Sequence, residues 1–106
     1  MNKYTELSDF EINKKVAEYL KLNTIAYERT EIVLFDDIDA TPFDPCNAPA
    51  DAMPIIIENK IGLSPMYHSN KWTADCLDYD FISVNKNPLR AAMELFLLMK
   101  DAENEG

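Results

Sequence analysis

The stretch that most constrains the fold is "NPLRAAMELFLLMK", residues 87–100. Asn87 is placed to cap a helix, and Pro88 suits its first position, where a fixed φ is already helical. At helical spacing, Arg90, Glu94 and Asp101 fall on one narrow stripe, while Leu89, Ala92, Met93, Leu95, Phe96, Leu97, Leu98 and Met99 cover most of the remaining circumference. A helix resting on one sheet face needs a narrower apolar stripe. This helix therefore has to be enclosed, either by other helices of the same chain or by a second copy in a homodimer. Arg90 can pair with Glu94 one turn on, and the "DAENEG" that follows reads as a solvated tail.

The elements that could do the enclosing are legible upstream. "LSDFEINKKVAEYL" carries a capping box, with Ser8 as N-cap and Glu11 three residues on. Ile12, Val16, Tyr19 and Leu20 follow on one face, and Asn23 is the expected end of that helix. "TIAYE" and "EIVLF", residues 24–28 and 31–35, are β-branched and aromatic and read as a hairpin. The proline- and aspartate-rich "DDIDATPFDPCNAP" is a loop. A second helix is expected over about 48–60, with Met53, Ile56 and Ile57 on one face and a kink or restart near Pro54. Asn47 or Asp51 could serve as its cap. Three short strands should follow. Pro65 places the first at an edge or bulge; Trp72, Ala74 and Cys76 share a face of the second; "DYDFISV", residues 78–84, returns as the third in an antiparallel meander.

With 106 residues, the expectation is one domain spanning residues 1–106. Its class is α+β, a small mostly antiparallel sheet with about three helices packed on it. Hydrophobic residues make up 47%, enough for a core. The net charge is −9, from 19 acidic and 10 basic residues. That charge repels phosphate backbones and anionic membranes, so direct nucleic acid binding is not expected. The start of the chain has no apolar signal segment, and no apolar run is long enough to span a bilayer. Cys46 and Cys76 lack a CxxC spacing, in keeping with a reducing cytoplasm.

Few residues carry a recognisable chemistry. Asp36, Asp37, Asp39 and Asp44 form an acidic loop, but their spacing lacks the glycine and terminal glutamate of an EF-hand, so a solvated or docking loop is expected and no metal site. His68, the only histidine, has no second ligand nearby and reads as a turn residue. Cys46 precedes a helix, but Asp44 and Asp51 oppose thiolate formation. No glycine-rich phosphate loop exists in a chain with two glycines. No cofactor and no enzymatic activity are expected.

Three blocks carry a resemblance: "YTELSDFEINKKVAEYL" (4–20), "DPCNAPADAMPIIIENKIGLSP" (44–65) and "KNPLRAAMELFLLMK" (86–100). Together they resemble the NinX-like family of tailed-phage and prophage proteins, whose function is unknown. The family commonly has Trp where this chain has Met53. The order of elements is also similar to small phage ABA-sandwich domains, which implies helices on both faces of a sheet. The resemblance implies an accessory phage protein in the bacterial cytoplasm and supplies no catalytic residue. The exposed candidates for binding are Asn47, Asp51, Glu58, Asn59 and Arg90, with Trp72 as an aromatic platform. The expected function is protein interaction with a host or phage partner. The alternative is a nucleotide-like ligand held by Arg90 and the aromatics around Trp72.

Overall fold

The computed structural model describes residues 2–105. Met1 and Gly106, the last residue of the segment read as a tail, lie outside the described residues. The order of elements is α1 (Asp9–Tyr19), β1 (Thr24–Tyr27), β2 (Ile32–Phe35), α2 (Pro49–Glu58), β3 (Gly62–Pro65), β4 (Trp72–Asp75), β5 (Ser83–Asn85) and α3 (Pro88–Glu105). The class is α+β, as expected. The five strands divide into an antiparallel hairpin, β1–β2, and an antiparallel meander in the order β3-β4-β5.

α3 is the centre of the molecule. It packs on α1, on α2 and on the meander. Ala91, Ala92, Met93, Leu95, Phe96, Leu97 and Met99 are all buried. The chain's own elements thus enclose the broad apolar surface of this helix. Asn87 caps it as expected, its Oδ1 accepting the Leu89 N–H at 2.9 Å. The helix does not stop at residue 100. It runs on through the segment read as a solvated tail, because Asp101 is drawn inward by the hydroxyls of Tyr4 and Tyr19.

The stripe of Arg90 and Glu94 also departs from the simple reading. Arg90 was expected on the surface, yet it is 6% exposed and Glu94 is 0% exposed. The polar stripe faces the N-terminal segment and α1 rather than water.

Both α1 and α2 end in a Schellman motif. Leu22 N–H bonds Ala17 O at 3.0 Å and Lys21 N–H bonds Glu18 O at 3.1 Å; Ile61 N–H bonds Ile56 O at 3.0 Å and Lys60 N–H bonds Ile57 O at 3.2 Å. Lys21 and Lys60 adopt φ of 57° and 54°, the left-handed region where glycine is usual. This turn closes α1 at Tyr19, short of the expected Asn23.

α2 starts at Pro49 with Ala48 as N-cap, so neither Asn47 nor Asp51 caps it. Pro54 lies inside one continuous helix. The bond it forfeits is to the Ala50 carbonyl, and both residues are on the exposed side, where water can serve. The buried face is Ala52, Ile55 and Ile56. Met53 and Ile57, expected to share a core face with Ile56, are exposed instead.

In the meander, Pro65 sits on the edge strand β3, opposite Trp72. β5 is shorter than expected, because residues 77–82 form bends and irregular chain before it. Cys76 lies one residue past β4, half-buried, with its Sγ 3.8 Å from Tyr79 O.

Candidate functional site

The polar side chains that the fold brings together lie where α1, the 44–51 segment and the start of α3 meet. Asn13 interrupts the inward face of α1, which otherwise carries Val16 and Ala17. Its amide is used at both ends: Nδ2 donates to Asp44 Oδ1 at 2.7 Å and Oδ1 accepts the Cys46 N–H at 3.1 Å. Asn47 Nδ2 donates to Asp44 Oδ1 at 3.1 Å and to Asp9 Oδ2 at 3.2 Å. Asn87, beyond its capping role, donates from Nδ2 to Cys46 O at 2.6 Å and to Asn47 Oδ1 at 3.3 Å. Asp51 reaches back from the first turn of α2 to accept the Asp44 N–H at 2.9 Å. A proline-rich loop with few backbone partners of its own is pinned in this way by side-chain amides.

Arg90 extends this seam inward. Its Nε donates to Glu94 Oε2 at 2.6 Å and its Nη1 to Asp9 Oδ1 at 2.7 Å. Its Nη2 donates to the carbonyls of Tyr4 and Leu7, at 2.9 and 2.6 Å. Asn2 Nδ2 closes the other oxygen of Glu94 at 2.7 Å. Burial opposes the charge on Arg90, but its hydrogen bonds to Asp9 and Glu94 outweigh that and raise its pKa. One guanidinium therefore ties the N-terminal segment and α1 to α3. Among the described residues, no buried side-chain nitrogen or oxygen lacks a hydrogen-bond partner.

A cleft of about 280 Å³ opens over the outer part of the seam. Asp9, Asn13, Asp44 and Asn47 form its polar wall, and Ile32, Pro42 and Phe43 contribute to the apolar one, with Glu31 at the hairpin end. Asp44 makes no ion pair among the described residues, so its negative charge is held by amides alone. The thiol of Cys46 is fully buried behind it. Burial pushes this thiol well up, Asp9 adds to the rise, and Arg90 does not offset it. Burial and this shift both disfavour the thiolate.

A larger cleft of about 620 Å³ lies between the N-terminal segment, α1 and the end of α3, lined by Lys3, Tyr4, Leu7, Lys15, Glu18, Tyr19 and Asp101. Asp101 accepts from the Tyr4 and Tyr19 hydroxyls and pairs with Lys3 Nζ at 3.1 Å. Burial alone would raise the Asp101 pKa, but the bonds from Tyr19, Tyr4 and Lys3 lower it. The same bond to Asp101, with burial, raises the pKa of Tyr19. A phenol held in its neutral form is a clasp rather than a base.

Of the residues singled out from sequence, Asp44, Asn47, Asp51 and Arg90 belong to the seam. The others do not converge on it. Asp36, Asp37 and Asp39 stay on an exposed loop, where Asp37 accepts the Ala40 N–H at 2.8 Å. Glu58 and Asn59 lie at the far end of α2, on a separate cleft shared with Leu77, Asp78 and Glu103. Trp72 is half-buried on β4, and all the hydrogen bonds of the Arg90 guanidinium run to the N-terminal segment, α1 and Glu94. His68 is exposed in the β3–β4 turn with φ of 60°. Among the described residues, no group of three or more His, Cys, Asp or Glu is arranged to hold a metal ion, and no helix is long and apolar enough to cross a membrane.

Sequence reading missed Asp9, Asn13, Tyr4 and Tyr19. Asn13 had a usable signal: it stands three and four residues before Val16 and Ala17, on the apolar stripe. A polar residue there has to find a buried partner. The seam draws one member or more from each of the three sequence blocks, Asp9 and Asn13 from the first, Asp44, Asn47 and Asp51 from the second, Asn87 and Arg90 from the third. No curated protein and no solved structure matches the chain. The family model described as Bacteriophage P22, NinX matches residues 3–100, nearly the whole length, and the chain belongs to this NinX-like family of phage proteins.

Proposed function

We propose that this phage accessory protein is a non-enzymatic protein-interaction module acting in the cytoplasm of the infected cell. The observation that carries the reading is that the polar seam is closed on itself. Arg90, Asn13 and Asn87 have their donors directed at Asp9, Glu94, Asp44 and backbone carbonyls. Catalytic machinery needs a group with an open donor, acceptor or lone pair aimed at a reacting atom. Here those groups hold helices and a loop in place. Apolar side chains are meanwhile displayed together outside, Ile25, Tyr27 and Ile32 on one face of the β1–β2 hairpin. Exposed apolar surface of this kind is a mark of association.

The nucleotide-like ligand reading has less support. It relied on Arg90 to meet a phosphate, and that guanidinium is already bonded to two carboxylates and two carbonyls.

Native mass spectrometry of the chain purified gently from phage-infected cells tests the proposal. A stoichiometric protein partner is the expected result. A small-molecule adduct with no protein partner, reproduced as a thermal shift by the purified compound, would overturn it.

A further inference from the structure

We infer that the outer face of the β1–β2 hairpin is the docking surface, and that its partner is a protein presenting an apolar strip bordered by lysine or arginine. This rests on the interaction-module reading and gives it a place. In an antiparallel pair, directly opposite residues share a face and successive residues alternate. The register pairs Ile25 with Leu34 and Tyr27 with Ile32, so these four side chains lie on one face. Thr24, Ala26, Val33 and Phe35 lie on the other, which turns towards the core. The usual arrangement puts apolar groups in and polar groups out. Here the inward face includes the small Thr24 and Ala26, while every outward residue is large and apolar. Ile25, Tyr27 and Ile32 are 41%, 44% and 42% exposed.

The patch does not end with the hairpin. Pro42 bridges to Leu34 and continues the apolar face, and Ile38 projects fully into solvent from the following loop. Ile32 and Pro42 also line the cleft over the seam, so patch and cleft are continuous. On the cleft side stand Asp9, Glu31 and the amide-held carboxylate of Asp44.

Charge selects the occupant. Between Asn23 and Pro42 the chain carries Glu28, Glu31, Asp36, Asp37 and Asp39 against Arg29, and of these carboxylates only Glu28 is ion-paired among the described residues, with Lys14 at 3.1 Å. A second copy would bring two such rims together, and so would meet like-charge repulsion. A nucleic acid or an anionic bilayer would be repelled in the same way. A partner with an apolar centre and basic flanks meets complementary chemistry, and one of its cationic side chains can enter the cleft beside Asp44.

The test uses the full chain with a photo-crosslinking p-benzoylphenylalanine in place of Tyr27, or in place of Ile57 on the exposed side of α2, in phage-infected cells. A second set carries D36N, D37N and D39N together, with thermal midpoint and far-UV dichroism as checks of folding. The same chains are titrated with a short peptide of alternating leucine and lysine and with its leucine–glutamate counterpart, and amide shifts are followed by NMR. The expected result is an adduct from position 27 and not 57, to a protein of basic isoelectric point, reduced by the triple variant. The leucine–lysine peptide should shift Ile25, Tyr27, Ile32 and Leu34, with affinity falling about tenfold or more as salt screens the rim, and the leucine–glutamate peptide should leave them in place. A chain-to-chain adduct at position 27 would overturn the inference in favour of a second copy. An adduct at position 57 alone would overturn it while leaving the interaction module standing. Adducts at neither position, with no partner retained in native mass spectrometry, would remove both.

Discussion

The stripe of α3 that carries Arg90 and Glu94 and the outer face of the β1–β2 hairpin are inverted with respect to each other. The helix turns its charged stripe into the molecule, and the hairpin turns four large apolar side chains out of it. The difference lies in what covers each. α3 has neighbours on all sides, so its few polar groups have to be answered inside, by Asp9, Asn2 and two carbonyls. The hairpin is a two-stranded sheet with one face on the core and the other carrying the exposed Ile25, Tyr27 and Ile32. Internal charge there holds one arrangement together; external apolar surface is free to be covered by something else.

The buried pair on α3 is the most costly contact to lose. Arg90→Met leaves Glu94 buried without its cation, and the loss of stability should be about 3–5 kcal/mol. Replacing Glu94 by Leu in the same chain should recover much of that, as read by urea denaturation. An equal loss in the single and double variants would mean the pair is not what α3 depends on.

The clasp at Asp101 makes the polar side of α3 sensitive to pH. Its folded pKa is lowered, so its contribution is fully present above the unfolded value of about 3.9 and is lost as pH falls through the folded one. Tyr19 has the opposite sign: its raised pKa makes a contribution present below about 10 and lost as pH rises through the folded value. Asp101→Asn should remove about 1 kcal/mol near neutrality and flatten the acid limb of a stability–pH curve below pH of about 4. An acid limb unchanged by the substitution would place the titration elsewhere.

Lys60→Gly removes a left-handed backbone strain without touching either region. It should stabilise by up to about 1 kcal/mol, visible as a raised thermal midpoint. On the hairpin, Tyr27→Ser should cost no more than about 1 kcal/mol, the scale of one cross-strand pair. Ile57→Ser on α2 should change stability by about 0.5 kcal/mol or less. A loss of several kcal/mol at Tyr27 would mean that the outer face is part of the core, and the contrast with α3 would fail.

Local chemistry alone made several elements legible. The Ser8 cap accepts Glu11 N–H at 3.1 Å, Asn87 and Pro88 open α3, and the meander runs in chain order with Pro65 at its edge. These signals act over a few residues, where one side chain answers one backbone group. The candidate site was legible only in pieces. Asn47, Asp51 and Arg90 were picked as exposed binding groups, yet what they hold is Asp44, Asp9 and Glu94, residues of other elements. The hairpin was readable as a hairpin, but with every position apolar or small its sequence did not say which face would be wet.

Local sequence settled the starts of α1 and α3, the strand pairing within each hairpin and the family. Packing settled the rest: that α3 is enclosed by its own chain, that its charged stripe points inward, and that Ile25, Tyr27, Ile32 and Leu34 face out. The reason is range. Caps, turns and periodicity are satisfied within about one or two turns of chain. The side of an element that meets water depends on which distant segments arrive to cover it, and for Arg90 those segments lie more than eighty residues away in the chain.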